Sequence, residues 1–254
     1  MTATTEEPII SLPGDDVTTY IKQESNSKRA KLGHGLLYNA DNESVTCTLA
    51  GSLECNKKNN TYFIRSNKRR YTPSLSDRVI GIIEERVGGD YYKMNIFGPH
   101  SVLLHNLSFD GATQRKKPNL GPGALVYCRV VSANRGVDAE VSCKVENTGS
   151  LERRDWMTDE AMYGELKGGL NFRVSLGLAR QLLAPKCVVL QALASEGMKF
   201  EICTGVNGVV WVHSEGYENS ILISNAIKNS EVMDEDQILG MVKALVKNVK
   251  ISKS

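Results

Sequence analysis

The chain has 254 residues, 41% of them hydrophobic and 24% charged, which is enough apolar side chain for one large core or two to three small ones. A formal net charge of +2, spread evenly along the sequence, excludes a global field that would draw the protein onto nucleic acid, so any such contact must come from local clusters or from a surface shared with partners. No apolar run approaches the length needed to span a bilayer.

The first residues, Met1 to Pro8, carry neither a basic stretch nor an apolar one, so no signal peptide is expected and the protein is expected to be soluble and intracellular. From there to about Pro73, short β-type stretches alternate with polar turns: Gly35–Asn39, Val45–Leu53 and Thr61–Arg65. Asn39 to Asn42 and Asn56 to Asn60 supply the turn chemistry between them. This predicts a small antiparallel sheet, too thin to stand firmly alone.

From Ser74 to about Glu146 five strands are predicted: Arg78–Glu85, Tyr91–Phe97, Ser101–His105, Ala124–Ala133 and Ala139–Val145. Gly88-Gly89-Asp90 turns the first into the second, and Gly98-Pro99 separates the second from the third. The long polar stretch Asp110–Gly123 then divides three strands from two. Five short strands in a three-plus-two arrangement with one long loop fit a Greek-key barrel of the OB type.

The period then changes. Leu170–Val174 reads as a strand, Ser175 as the cap of a helix over Leu176–Ala184, and Pro185 as its breaker. A second helix follows over Cys187–Ala194, then strands Met198–Thr204 and Val209–His213, then helices at about Ser220–Asn229 and Glu235–Val249. Strand–helix–helix–strand–strand–helix is the order of a type I KH domain. The fold class predicted is multidomain and mainly β, with a C-terminal α+β domain. Its parts are an N-terminal β domain (1–73), an OB-type barrel (74–148) and a KH domain (149–254).

Four groups of residues carry a resemblance to a known family. They are Arg70-Tyr71-Thr72-Pro73; Asp77 to Gly81; Leu107 to Thr113 with Lys117-Pro118-Asn119; and, in the last segment, Leu178 to Pro185 and Gly205 to Val212. In this order, and with Pro13-Gly14-Asp15 near the start, the sequence resembles the exosome cap subunits of the ribosomal RNA-processing protein forty family. The resemblance implies that the barrel is of the S-one RNA-binding type. It also implies a non-catalytic subunit bracing a ring of RNase-PH-like subunits beside other cap subunits. RNA would thread past it toward associated nucleases for 3′-to-5′ processing and decay, in the nucleus, nucleolus and cytoplasm. Where the family tends to a short Gly-rich link before the KH domain, this chain has Arg153-Arg154-Asp155-Trp156-Met157. The alternative, from another class, is a free-standing RNA-binding regulator with OB and KH domains.

Candidate site residues follow from local chemistry and this resemblance. Arg115-Lys116-Lys117 puts three adjacent cations on the long barrel loop, able to follow a phosphate backbone without reading sequence, or simply to be solvated. Lys68-Arg69-Arg70, beside Tyr71, could hold RNA phosphate or meet an acidic patch on a ring subunit. Tyr91 and Tyr92 point to opposite faces by alternation, so at most one can be an exposed stacking platform; Phe97, His100 and His105 are the other candidates. The KH junction Ala184-Pro185-Lys186-Cys187 lacks the two glycines of a G-x-x-G grip. Gly205-Val206-Asn207-Gly208 reads as a hairpin with a two-residue Asn-Gly turn, packed with Trp211 into an interdomain surface.

No cofactor is expected. The six cysteines (47, 55, 128, 143, 187 and 203) form no C-x-x-C pair and read as reduced buried thiols, and the four histidines are scattered. The acidic runs Asp15-Asp16 and Asp234-Glu235-Asp236 follow a Pro-Gly turn and open a helix, and no nucleophile is paired with a base, so no catalytic activity is predicted.

Overall fold

A computed structural model describes residues 9–24, 30–56, 59–66, 70–134, 136–145 and 162–252. Lys68, Arg69 and the joint at 153–157 lie outside the described residues. The chain divides into two compact units, Met1–Asn67 and Lys68–Ser254.

The first unit holds β1 (Ile9–Ser11), α1 (Thr18–Glu24), β2 (Lys31–Leu32), β3 (Leu36–Asn39), β4 (Ser44–Cys47), β5 (Gly51–Asn56) and β6 (Thr61–Arg65). Its main sheet runs β1-β5-β6-β2, and β3 and β4 pair separately as a hairpin. The stretch expected as one strand over Val45–Leu53 is broken between β4 and β5: the β3–β4 ladder continues to the Thr48 amide, which donates to the Gly35 carbonyl at 2.8 Å, whereas β5 pairs with β1 and β6. Helix α1 was not expected. It spans only seven residues, opens on Asp16, whose Oδ1 accepts from the Thr18 amide at 2.8 Å, and places Ile21 on a core with Val17, Val45, Tyr62 and Ile64.

The second unit begins with a barrel of β7 (Arg78–Val87), β8 (Tyr91–Asn95), β9 (Val102–Phe109), β10 (Leu125–Ser132) and β11 (Glu140–Cys143). Antiparallel pairs β7–β8, β8–β9, β10–β11 and β10–β7, with parallel β9–β11, close the sheet on itself. Inward alternation fills it with Ile83, Met94, Leu104, Val126, Val130 and their neighbours. On β7 the run Val79-Ile80-Gly81 is buried on both faces, because Val79 enters the barrel core while Ile80 joins a second cluster with Val209 and Trp211.

The remaining strands and α-helices are β12 (Gly164–Leu166), β13 (Leu170–Arg173), α2 (Leu176–Leu182), α3 (Val188–Ser195), β14 (Phe200–Thr204), β15 (Val209–Ser214), α4 (Tyr217–Asn229) and α5 (Glu235–Ser252), with a short 3-10 turn at Ser230–Val232. Ser175 caps α2, its Oγ accepting from the Leu178 amide at 3.1 Å. The sheet order β13-β15-β14, all antiparallel, with α2, α3 and α4 packed against it, is the KH arrangement. Helix α5 adds to that plan, burying Ile238, Val242 and Val246 in the same core.

The division of the chain differs from the expected three parts in two respects. Tyr71 is buried in the barrel core, so the barrel unit begins before Ser74. Strand β12 pairs with β10, so residues assigned by sequence to the KH domain extend the barrel sheet instead. Barrel and KH domain share one compact unit, and the cluster of Ile80, Val209 and Trp211 lies between them.

Candidate nucleic-acid interface

The connection between β9 and β10 is ordered by its own main chain. Thr113 and Lys116 exchange main-chain hydrogen bonds of 3.0 and 3.1 Å, and the Thr113 hydroxyl also accepts from the Lys116 amide. Buried Tyr92 rivets the loop to the barrel wall: its hydroxyl donates to the Pro118 carbonyl at 2.8 Å and accepts from the Leu120 amide at 3.4 Å, with Leu120 in the core. Arg115 and Lys116 are exposed, and among the described residues neither has an ion partner. Lys117 differs. It is half-buried and its Nζ donates to Asp90 Oδ1 at 3.3 Å, so the run of three cations expected from sequence is two free charges and one engaged charge. The Asn106 amide group and then Lys117 hold the Asp90 carboxyl below the usual carboxylate range.

Beside this loop the outer wall of the barrel carries a groove of ≈ 470 Å³ lined by Tyr91, His105, Ser108, Arg129, Ser142 and Lys144 among others. Tyr92 faces the core, and Tyr91, 39% exposed, meets the His105 ring edge-on at 4.8 Å. Of the two tyrosines that alternation sends to opposite faces, Tyr91 is thus the exposed one. Phe97 is not available for stacking: it belongs to the cluster between barrel and KH domain, with the Arg173 guanidinium 4.5 Å from its ring centroid. Sequence reasoning did not find Arg129 and Lys144. They reach the groove through the pairing of β10 with β11, where Arg129 faces Ser142.

Arg70 is exposed, while its neighbour Tyr71 is fixed inside the barrel. The Tyr71 hydroxyl donates to Asp77 Oδ2 at 2.6 Å, and the same oxygen accepts from the Ser74 amide at 3.2 Å. Burial, and then this carboxylate, push the phenol pKa far up, so Tyr71 is a neutral structural residue.

The β14–β15 hairpin corrects one expectation. Gly205 donates to Val209 O at 2.8 Å and Gly208 to Gly205 O at 3.1 Å, leaving three residues in the loop, and of the Asn-Gly pair only Gly208 has positive φ (+79°). A two-residue primed turn needs positive φ at the first central position, and type I′ at both, so Asn207 would have to adopt it in either type. Asn207 is withheld from that geometry because its side chain, 3% exposed, is spent on the barrel. Its Nδ2 donates to the carbonyls of Ile80 (2.7 Å) and Ile96 (2.9 Å), and its Oδ1 accepts from the Ile80 amide (3.3 Å). The Val206 amide adds a bond to Arg78 O at 2.8 Å. A Cβ on Gly205 would meet Asn207 Oδ1 and the Ile80 amide nitrogen, so glycine is required by close approach. Trp211 is buried nearby, its Nε1 donating to Gly168 O at 2.8 Å.

At the KH junction, Lys186 is exposed on the rim of a groove of ≈ 310 Å³ that also carries Glu231 and Glu235. Two glutamates share this groove with one lysine, and the junction has no glycine for close backbone approach. Among the described residues, no group of three or more His, Cys, Asp or Glu side chains could hold a metal ion, and no helix is long and apolar enough to cross a membrane. All six cysteines are free thiols.

Comparison with known proteins supplies the remaining observations. A family model described as "Exosome complex component RRP40, S1 domain" matches residues 71–153, and a KH-domain model matches residues 169–216. The chain is 36% identical over 240 residues to the exosome complex component rrp40 of Schizosaccharomyces pombe, covering 93% of this chain and 94% of that protein. It is 38% identical over 210 residues to a putative exosome complex component rrp40 of Dictyostelium discoideum, covering 83% of each. The human exosome complex component RRP40 is 35% identical over 176 residues, 69% of this chain and 60% of the human one. A crystal structure described as a putative exosome complex RNA-binding protein superposes with a TM-score of 0.55 at 17% identity, covering 71% of this chain and 99% of that one, which is a likeness of fold.

Proposed function

The chain belongs to the Rrp40 family of exosome complex components, and from that premise we propose that it is a non-catalytic RNA-binding cap subunit of the exosome. In this reading it braces RNase-PH-like ring subunits beside other cap subunits. It guides single-stranded RNA into the channel toward associated nucleases for 3′-to-5′ processing and decay. The observation that carries the RNA-facing part is the barrel loop. Two exposed cations, Arg115 and Lys116, with no ion partner among the described residues, are held on an ordered turn beside the Tyr91–Lys144 groove. Such a surface follows a phosphate chain by charge and offers an aromatic face, and phosphate contacts carry no base information directly. Arg70 extends the reading to an interface with a neighbouring subunit, and Lys68 and Arg69, from the sequence alone, extend it to RNA phosphate. Asn207, Gly205, Gly208 and Trp211 contribute by fixing the barrel and KH domain together, and Tyr71 by anchoring the chain before β7 in the barrel core.

We place the protein in the nucleus, nucleolus and cytoplasm, free of membranes and of any cofactor. A pull-down from native cell extract, scored for ring subunits and an associated nuclease, tests the assembly. Elution of the chain alone would favour a free-standing RNA-binding regulator. Incubation of the purified chain with labelled RNA and divalent metal should give no hydrolysis. Turnover abolished by a point mutation in this chain would overturn the non-catalytic assignment.

A further inference from the structure

The loop's third cation is engaged by a carboxylate that is itself fastened in place. Asp90 lies in the turn between β7 and β8; its carbonyl accepts from the Asn106 amide at 2.8 Å, and its Oδ1 accepts from Asn106 Nδ2 at 3.0 Å. Asn106 is fully buried, so Asp90 is tied to the barrel through both main chain and side chain. The same Oδ1 takes Lys117 Nζ at 3.3 Å, and the two side chains keep 58% and 29% of their exposure. An ion pair this open to water is weak, and its flexible member is the lysine, a point charge with no preferred geometry for its partner.

We propose that Asp90 sets the RNA affinity of the barrel loop by standing in for a phosphate. In the free protein it neutralises Lys117, and an incoming RNA phosphate must take Lys117 from it. The proposal rests on the reading that the Arg115–Lys116 loop touches RNA. Arg115 and Lys116 release condensed counterions when they meet phosphate, whereas Lys117 only exchanges one anion for another. The wild-type salt dependence therefore reflects two loop contacts instead of three.

Asp90→Asn removes the charge while keeping an oxygen to accept from Asn106. Binding of a labelled oligouridine to the full chain, measured across a salt series, should show the slope of log affinity against log salt steepened by about 0.7. Equivalently, the affinity ratio of variant to wild type should fall about 2.6-fold between about 50 and 200 mM salt. Adding Lys117→Ala to Asp90→Asn should abolish this gain. Should the Asn variant melt early, Asp90→Ser, whose hydroxyl can also accept from Asn106, makes the same measurement. An unchanged or shallower slope in the charge-removed variant overturns the proposal, as does a gain that persists without Lys117, which would mean a long-range charge effect. Arg115→Ala/Lys116→Ala, run in parallel, separates the two ideas. If it leaves the slope unchanged the loop does not meet RNA, and if it flattens the slope while Asp90→Asn does not steepen it, only the role of Asp90 falls.

Discussion

Asn207 and Gly208 divide the work of one tight turn between them. Asn207 satisfies three main-chain groups of the barrel that would otherwise be buried without partners, and Gly208 supplies the left-handed residue that closes the loop. A Cβ at Gly208 would come within 2.6 Å of the Val174 carbonyl oxygen. Gly208→Val should therefore cost about 1–3 kcal/mol in backbone strain alone. The measurement is a lower melting temperature with unchanged RNA affinity per folded molecule; wild-type melting with lost RNA affinity would make the turn a binding site. The buried thiols give a second prediction. Burial pushes Cys143 and Cys203 up to about 12 from 9.0, and Cys128 well above 9.0. Above pH 9 the unfolded chain ionises these thiols while the native chain keeps them protonated, so the native state binds more protons there. Their stabilising contribution is full below 9.0 and is lost as the pH rises toward 12. Urea midpoints should fall across that window, and Cys128 and Cys143 should resist alkylation until the chain unfolds. Labelling of the native protein at these two positions would contradict the burial argument.

At the scale of elements, the barrel and KH strands were legible because most of them bury one face, which prints alternation on the sequence, because β15 reads as a continuous apolar run, and because glycines mark their ends. What was not legible depended on partners distant in sequence. Strand β12 is three residues long with no buried member, and only its ladder with β10 makes it a strand. Helix α1 buries too little of itself to show a period, and the break between β4 and β5 follows from their pairing in different sheets. The KH helices announced themselves through Ser175 and Pro185, and the missing glycines between them were equally plain. The structure adds that Glu231 and Glu235, near or in α5, share the rim with Lys186. Lys186→Ala should accordingly change RNA affinity little, since one exposed lysine is a single screened contact opposed by two carboxylates. Loss of most RNA binding in that variant would restore the KH junction as the grip.

At the scale of the molecule, the site was legible where its charges are contiguous and hidden where the barrel assembles it. Arg115, Lys116 and Lys117 stand together in the sequence, but that Lys117 is held by Asp90, and that Arg129 and Lys144 join Tyr91 on one wall, follows only from closure of the sheet. The consequence for binding is quantitative. Each phosphate neutralised on a single strand contributes roughly 0.7 to the slope of log affinity against log salt, so Arg115→Ala/Lys116→Ala should flatten that slope by at most about 1.4. The loss should be alike for different RNA sequences, because phosphate contacts carry no base information. Folding and ring assembly should be unaffected, since exposed loop charges away from buried features shift stability by no more than about 0.5 kcal/mol. RNA binding and channel-dependent degradation by the reconstituted complex, followed across a salt series, provide the measurement. An unaltered slope with unaltered degradation would reduce the loop to solvated charge, and failure to assemble would make it a contact with a neighbouring subunit.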